Sequence, residues 1–321
     1  MNTQEMAFLR ECLDWHKKPY FYFKDKYALD LLARCAGAGT KISVLKGSPW
    51  GFLLDKPLVK AVTAALPGNC LSAETLSACW PGPVLAFTLG LSQWGTYRKY
   101  RHDPWEQTSR PGLNLVLQLN FGQHHNVQYR QLMQPGNYYH PFVTDYHPVN
   151  AEKDFTLAWA RLDLDLETGE VLVEEIQTDW LRDANRMYNR VTRLFSESKE
   201  RLKDHWFFYR RVRTYGDFRQ YHEKVLQPYG EVWDEAMLAA VLGFVRQELG
   251  IRRVYYHTFE SGNRMKGITD TFPPRSLYTK LPRRFGFRET DTAPQFIRNT
   301  PYLKKKQAEI AELTWFVLEL P

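Results

Sequence analysis

The chain has 321 residues, 44% of them hydrophobic, 25% charged and 15% aromatic, with a formal net charge of +7. That length buries a substantial core without disulfide or metal staples, and the composition excludes collagen-like, low-complexity and disulfide-framework proteins. No run approaches the roughly 20 apolar residues of a membrane span, and Glu5, Arg10, Glu11 and Asp14 interrupt any secretory apolar stretch near Met1.

A cytoplasmic protein without membrane contact is therefore expected. Cys12, Cys35, Cys70 and Cys79 form no Cys-x-x-Cys pair; two bridges are arithmetically open, but free thiols suit a reducing compartment. The basic balance, with a pI near 9.1, favours an anionic partner: nucleic acid, a phosphorylated cofactor or an acidic protein.

In chain order, the first eighty residues read as short helices. Phe8, Leu9, Cys12, Leu13 and Trp15 lie at helical spacing, and Asp25 heads a stripe through Ala28, Leu31, Leu32 and Cys35 that stops at Gly37 and Gly39. Leu58–Leu66 is a third helix, and Ser72 opens a fourth that closes at Pro81-Gly82-Pro83. Strands follow at 84–89 and 113–120, with 127–133 expected to return as a strand past Gly122. Residues 137–150, rich in Tyr, His and Pro, read as a loop. A hairpin joins 155–166 to 170–176 through Glu167-Thr168-Gly169. A long helical insert fills 180–228, broken at Gly216, and a second strong helix spans 231–249 with Gly250 just past its end. A strand at 253–259, a short helix at 275–281 and a final strand at 313–320 complete the chain. The expected fold is α/β (α+β), with a helical region at 1–82 and a mixed, mainly antiparallel sheet with flanking helices at 83–321.

The polar strand Glu175-Ile176-Gln177-Thr178-Asp179-Trp180 draws attention within that order. Strand alternation puts Glu175, Gln177 and Asp179 on one face, preceded there by Val171 and Val173, with Glu174 opposite. Three polar groups spaced by roughly 7 Å make a rail for a substrate, with one carboxylate as base and Trp180 beside it. The alternative is a solvated strand face. His257, in mid-strand, is a further candidate base, although a lone strand histidine is more often structural.

The order from residue 155 onward (hairpin, long helix, strand, short helix, Phe285-Gly286-Phe287, final strand) resembles the GNAT superfamily of N-acetyltransferases. Ser276-Leu277-Tyr278-Thr279-Lys280-Leu281 looks like that family's closing signature. Asn263 falls near the Asn that often follows its fifth strand, at longer spacing. The resemblance implies a general base at Glu174 or Glu175 and Tyr278 as the acid for a leaving thiolate. Acyl-CoA would be the implied donor, but the family's Gly-rich phosphate loop is missing, and only Pro228-Tyr229-Gly230 leads into the next core helix. Coenzyme A is therefore expected to bind weakly or not at all. Any anionic cofactor would rest on Arg186, Arg210, Arg211, Arg283 and Arg284. The Glu-Ile-Gln-Thr-Asp-Trp segment is also similar to segments of polyvalent proteins of phages and mobile elements.

Two functions follow as expectations. One is a group-transfer, acyltransferase-like enzyme acting on an unidentified substrate, with an anionic small molecule or nucleic acid as the expected partner. The other is a nucleic-acid-binding accessory protein, because the insert interleaves arginines with Trp206, Phe207, Phe208 and Tyr209. Glu197, Glu200 and Asp204 argue instead for a solvated helical pair. The histidines at 124, 125, 140 and 147 match no metal-ligand spacing, so no metal is expected.

Overall fold

The computed structural model describes residues 1–66, 68–95, 107–135, 140–144, 146–150, 154–197, 205–208, 211–270, 272–298, 300–309 and 312–321. Helices are α1 (Thr3–Cys12), α2 (Lys26–Ala36), α3 (Ile42–Lys46), α4 (Pro57–Ala64), α5 (Ala73–Ser77), α6 (Gln123–Met133), α7 (Asp179–Glu197), α8 (Tyr215–Gln220), α9 (Gln227–Gly230), α10 (Trp233–Gln247), α11 (Phe259–Lys266), α12 (Lys280–Arg284), α13 (Gln295–Arg298) and α14 (Pro301–Glu309). Strands are β1 (Lys18–Tyr22), β2 (Thr40–Lys41), β3 (Cys70–Leu71), β4 (Leu85–Trp94), β5 (Asn114–Phe121), β6 (Thr156–Asp165), β7 (Glu170–Gln177), β8 (His205–Phe208), β9 (Arg211–Thr214), β10 (Arg253–His257), β11 (Arg288–Thr290) and β12 (Trp315–Glu319).

One eight-stranded sheet, in the order β1-β4-β5-β6-β7-β10-β12-β11, organises the chain as a mixed α/β fold with flanking helices. Its pairs are antiparallel except β7 with β10. A parallel pair needs a long crossover, and here α7 to α10 supply it. On one face Leu117, Leu119, Ala160, Leu162, Val171 and Val173 pack with α2 and α10 in the main core. On the other, Leu172, Tyr255, Met265, Ile297 and Trp315 form a smaller core. Covering both faces buries every position of β5, including Asn114, Gln118 and Asn120.

The strongest helix, α10, forms because Met237, Leu238, Val241, Leu242 and Val245 recur at helical spacing, all buried, with Asp234 and Glu235 in the first turn. Each such side chain is worth about 1.5–3 kcal/mol of burial. Ser72 caps α5 by accepting from the Thr75 amide, as its position suggests.

Three elements differ from the sequence reading. Residues 127–133 belong to α6: His125, Tyr129 and Met133 are its buried positions, a four-residue spacing that overrides the short strand-like pattern. Gly122 precedes the helix because a Cβ there would stand 2.6 Å from the Ala86 carbonyl oxygen. Residues 1–82 are not helical throughout, since Lys18–Tyr22 pairs with β4 as an edge strand of the sheet. The 180–228 insert is not helical throughout either: α7 is followed by the β8–β9 hairpin, α8 and a π-helical turn at Tyr221–Leu226.

Candidate functional site

The geometry of the polar strand is set by a bulge. Leu162 pairs with Val173 and Arg161 with Glu175, so Glu174 is an extra residue in β7. Plain alternation would send Glu174 and Glu175 to opposite faces. Instead Val173 and Ile176 both enter the main core, and both glutamates stay on the other face. The expected grouping of Val171 and Val173 with Glu175 is thereby corrected: the apolar pair lies across the sheet from the carboxylates.

The β7–β10 ladder ends at Val173 and Tyr256, one residue before the bulge. The Glu174 carbonyl left beyond it accepts from Lys266 Nζ at 3.0 Å. The Glu174 carboxylate accepts from the Ser109 amide at 3.0 Å and the Ser109 hydroxyl at 2.7 Å, and lies 3.1 Å from His257 Nε2. Ser109, Glu174, His257 and Lys266 are all buried. Burial opposes ionisation of Glu174, but hydrogen bonds from His257 and Ser109 and the Lys266 charge outweigh it and hold the carboxyl well below its ordinary range. Burial, against the hydrogen bond and charge of Glu174, also lowers the pKa of His257.

This Ser–His–Glu contact is not a nucleophilic triad. A relay uses one ring nitrogen for the serine and the other for the carboxylate. Here His257 Nε2 faces both Ser109 Oγ and Glu174, while the buried Nδ1 has no partner among the described residues.

Glu175 forms a buried ion pair with Arg161, whose guanidinium also donates to the Gln107 carbonyl at 3.0 Å and lies over the rings of Trp94 and Trp159. Burial opposes its ionisation, but the Arg161 and Lys266 charges prevail and lower its pKa. Lys266, lowered by burial against the fields of Glu175 and Glu174, sits 5.5 Å above the Tyr278 ring. Tyr278 is buried, its hydroxyl has no partner among the described residues, and burial raises its pKa well above the ordinary value. Asn263, one turn before Lys266 on α11, is buried with its amide nitrogen likewise unpaired.

The row opens at its far end. Asp179, in the first turn of α7, has a buried carboxylate that His147 Nδ1 reaches at 2.8 Å, Trp159 Nε1 at 3.1 Å, Gln177 Nε2 at 2.5 Å and Arg182 at 2.5 Å. Burial opposes its ionisation, yet the hydrogen bond and charge of His147 lower its pKa. A carboxylate only accepts, so Nδ1 carries the hydrogen, and in the neutral form of the ring Nε2 holds the lone pair. The His147 side chain is 27% exposed, whereas that of Asp179 is 2% exposed.

The other expected site residues scatter. Trp180 turns into an aromatic cluster with Phe121, Phe142 and Phe155 and donates to the Tyr221 hydroxyl at 2.8 Å; this corrects its expected place beside a substrate. Arg186 is exposed and 3.6 Å from Asp183. Arg283 pairs with Glu289 and Arg284 with Glu235, so both cations already face carboxylates. Arg210 and the Arg211 side chain, like those of Trp206, Phe207, Phe208 and Tyr209, lie outside the described residues, as do Glu200 and Asp204. Among the described residues no group of three His, Cys, Asp or Glu side chains is placed to hold a metal ion.

Ser109, Arg161, Lys266 and His147 were not singled out from sequence as members of the site. None carries a local signal, because His147 is 32 residues from Asp179 and Ser109 is 148 from His257. Compared with models of known families, with characterised proteins and with solved structures, the chain finds no match. No helix among the described residues is long and apolar enough to cross a membrane.

Proposed function

We propose that the chain is a group-transfer enzyme on a GNAT-like frame, with His147 as general base at the open end of the β7 row. One observation carries this reading: the buried Asp179 carboxylate holds a hydrogen on Nδ1 of a partly exposed histidine whose Nε2 has no partner among the described residues. That nitrogen takes the proton of an acceptor hydroxyl or amine as it attacks the donor, and the imidazolium returns it to the leaving group. Arg161, Glu174, Glu175 and Lys266 form the rigid, charge-balanced floor. The antiparallel run up to β7, the parallel β7–β10 pair and the closing β12–β11 pair support the frame. Fold alone does not assign chemistry. The test is mass profiling of a small-molecule extract incubated with wild type and with His147→Gln. Product features are expected only with wild type, and identical profiles would remove the catalytic reading.

A second reading has its own observation. Asn185, Arg186, Asn189, Arg190 and Arg193 are exposed along α7, a basic face suited to phosphates. Binding of tRNA or single-stranded DNA that falls steeply with salt would favour it, and salt-insensitive or absent binding would dismiss it.

A further inference from the structure

Across the sheet from the carboxylate row, a cavity of about 540 Å³ opens between α2, α10 and the β1–β4 edge. Its size suits a small molecule. Its floor is apolar: Leu31, Leu89, Leu91, Leu117, Ala240 and Phe244.

The rim is charged, but most of its charges face each other. Lys18 meets Glu248 at 3.1 Å, Lys26 meets Asp30 at 2.7 Å, and His16 meets Asp14 at 2.9 Å. Arg34 is the exception: among the described lining residues it is the one cation with no carboxylate at ion-pair distance. It is half-buried; burial lowers its pKa against the field of Asp30, and the Arg246 charge lowers it further.

A second observation concerns α10. Gly243 lines the cavity in mid-helix, and a Cβ built on it would meet no atom within 4 Å. Glycine in a helix interior is destabilising relative to alanine. Here no steric reason forbids a side chain, so the glycine keeps the cavity open at the expense of helix stability.

We propose that this cavity binds an amphipathic monocarboxylate of medium-chain fatty-acid shape, with its hydrocarbon on the apolar floor and its carboxylate on the Arg34 guanidinium. The planar guanidinium matches a carboxylate in a two-point contact. A phosphate would bring extra negative charge beside Asp14, Asp30 and Glu248, which the single unpaired cation does not balance.

The test is calorimetric titration of the full chain with decanoate below its micelle concentration, beside decanol and decyl phosphate. Decanoate is expected to bind saturably, one per chain and at least about tenfold tighter than decanol, a preference of about 1.4 kcal/mol. Arg34→Gln is expected to abolish that preference while decanol binding stays unchanged. Gly243→Leu, which fills the space with a better helix former, is expected to abolish both; unfolding midpoints establish that each variant is folded. No saturable decanoate binding, equal affinity for decanoate and decanol, or tighter binding of decyl phosphate would each overturn the proposal. So would full decanoate affinity in folded Gly243→Leu. The cavity lies on the opposite face from His147, so these outcomes leave the group-transfer reading untouched.

Discussion

Arg161 and Glu175 show what a buried charge contributes at the scale of single residues. Each is almost wholly removed from water, so their attraction is largely offset by lost hydration. Deleting one partner is another matter, since it strands the survivor. Arg161→Met or Glu175→Leu alone is expected to destabilise by about 3–5 kcal/mol. The double variant is expected to recover much of that loss. Urea unfolding of the three proteins checks the cycle, and additive losses would show that the pair is not coupled. Asp179 and His147 differ because one of the two is open to solvent. In the proposed reading that difference separates a floor from a reacting group, and the exposure that makes it cannot be read from the residue types alone.

Among the elements, the β7 bulge and the α7 N-terminus matter most. The bulge was not legible in the sequence: Val-Glu-Glu-Ile alternates poorly, but nothing local says which glutamate is the extra residue. The register against β6 decides it. By contrast α2, α10 and the β6–β7 hairpin were legible, because their apolar periods and Gly terminators are local signals. At α7 the buried Asp179 carboxylate already occupies the positive end of the helix dipole. A pyrophosphate placed there would meet like charge, and Arg283 and Arg284 are engaged elsewhere. Titration with acetyl-CoA is therefore expected to show weak or no binding. Tight binding undiminished in Arg283→Ala/Arg284→Ala would contradict this and favour an ordinary acetyl-CoA enzyme.

At the scale of the whole molecule, α2, α10 and α12 are tied by Glu235, which accepts from the Asp25 amide at 2.7 Å and from Arg284 at 3.0 Å. Burial, against the Asp25 amide hydrogen bond, raises its pKa to about 7. A carboxyl raised on folding binds its proton more tightly in the native state, so stability falls as pH rises from the unfolded value towards about 7 and then levels off. Glu235→Gln is expected to flatten that part of the curve, measured by urea unfolding between pH 5 and 8; an unchanged slope would mean that Glu235 does not titrate there. The long-range contacts that set this linkage, like those joining Ser109 to His257, follow from the packing of distant segments and leave no trace in local spacing.

The most direct test of the central claim is the rate of product formation by Asp179→Asn beside wild type and His147→Gln. Asparagine keeps the size of the side chain but no longer fixes the hydrogen on Nδ1. If His147 is the base, both variants should fold with rates lower by about 10²–10⁴-fold, the usual contribution of a positioned base. Rates within about twofold of wild type in both folded variants would place the chemistry elsewhere, because no step at His147 survives the loss of the imidazole.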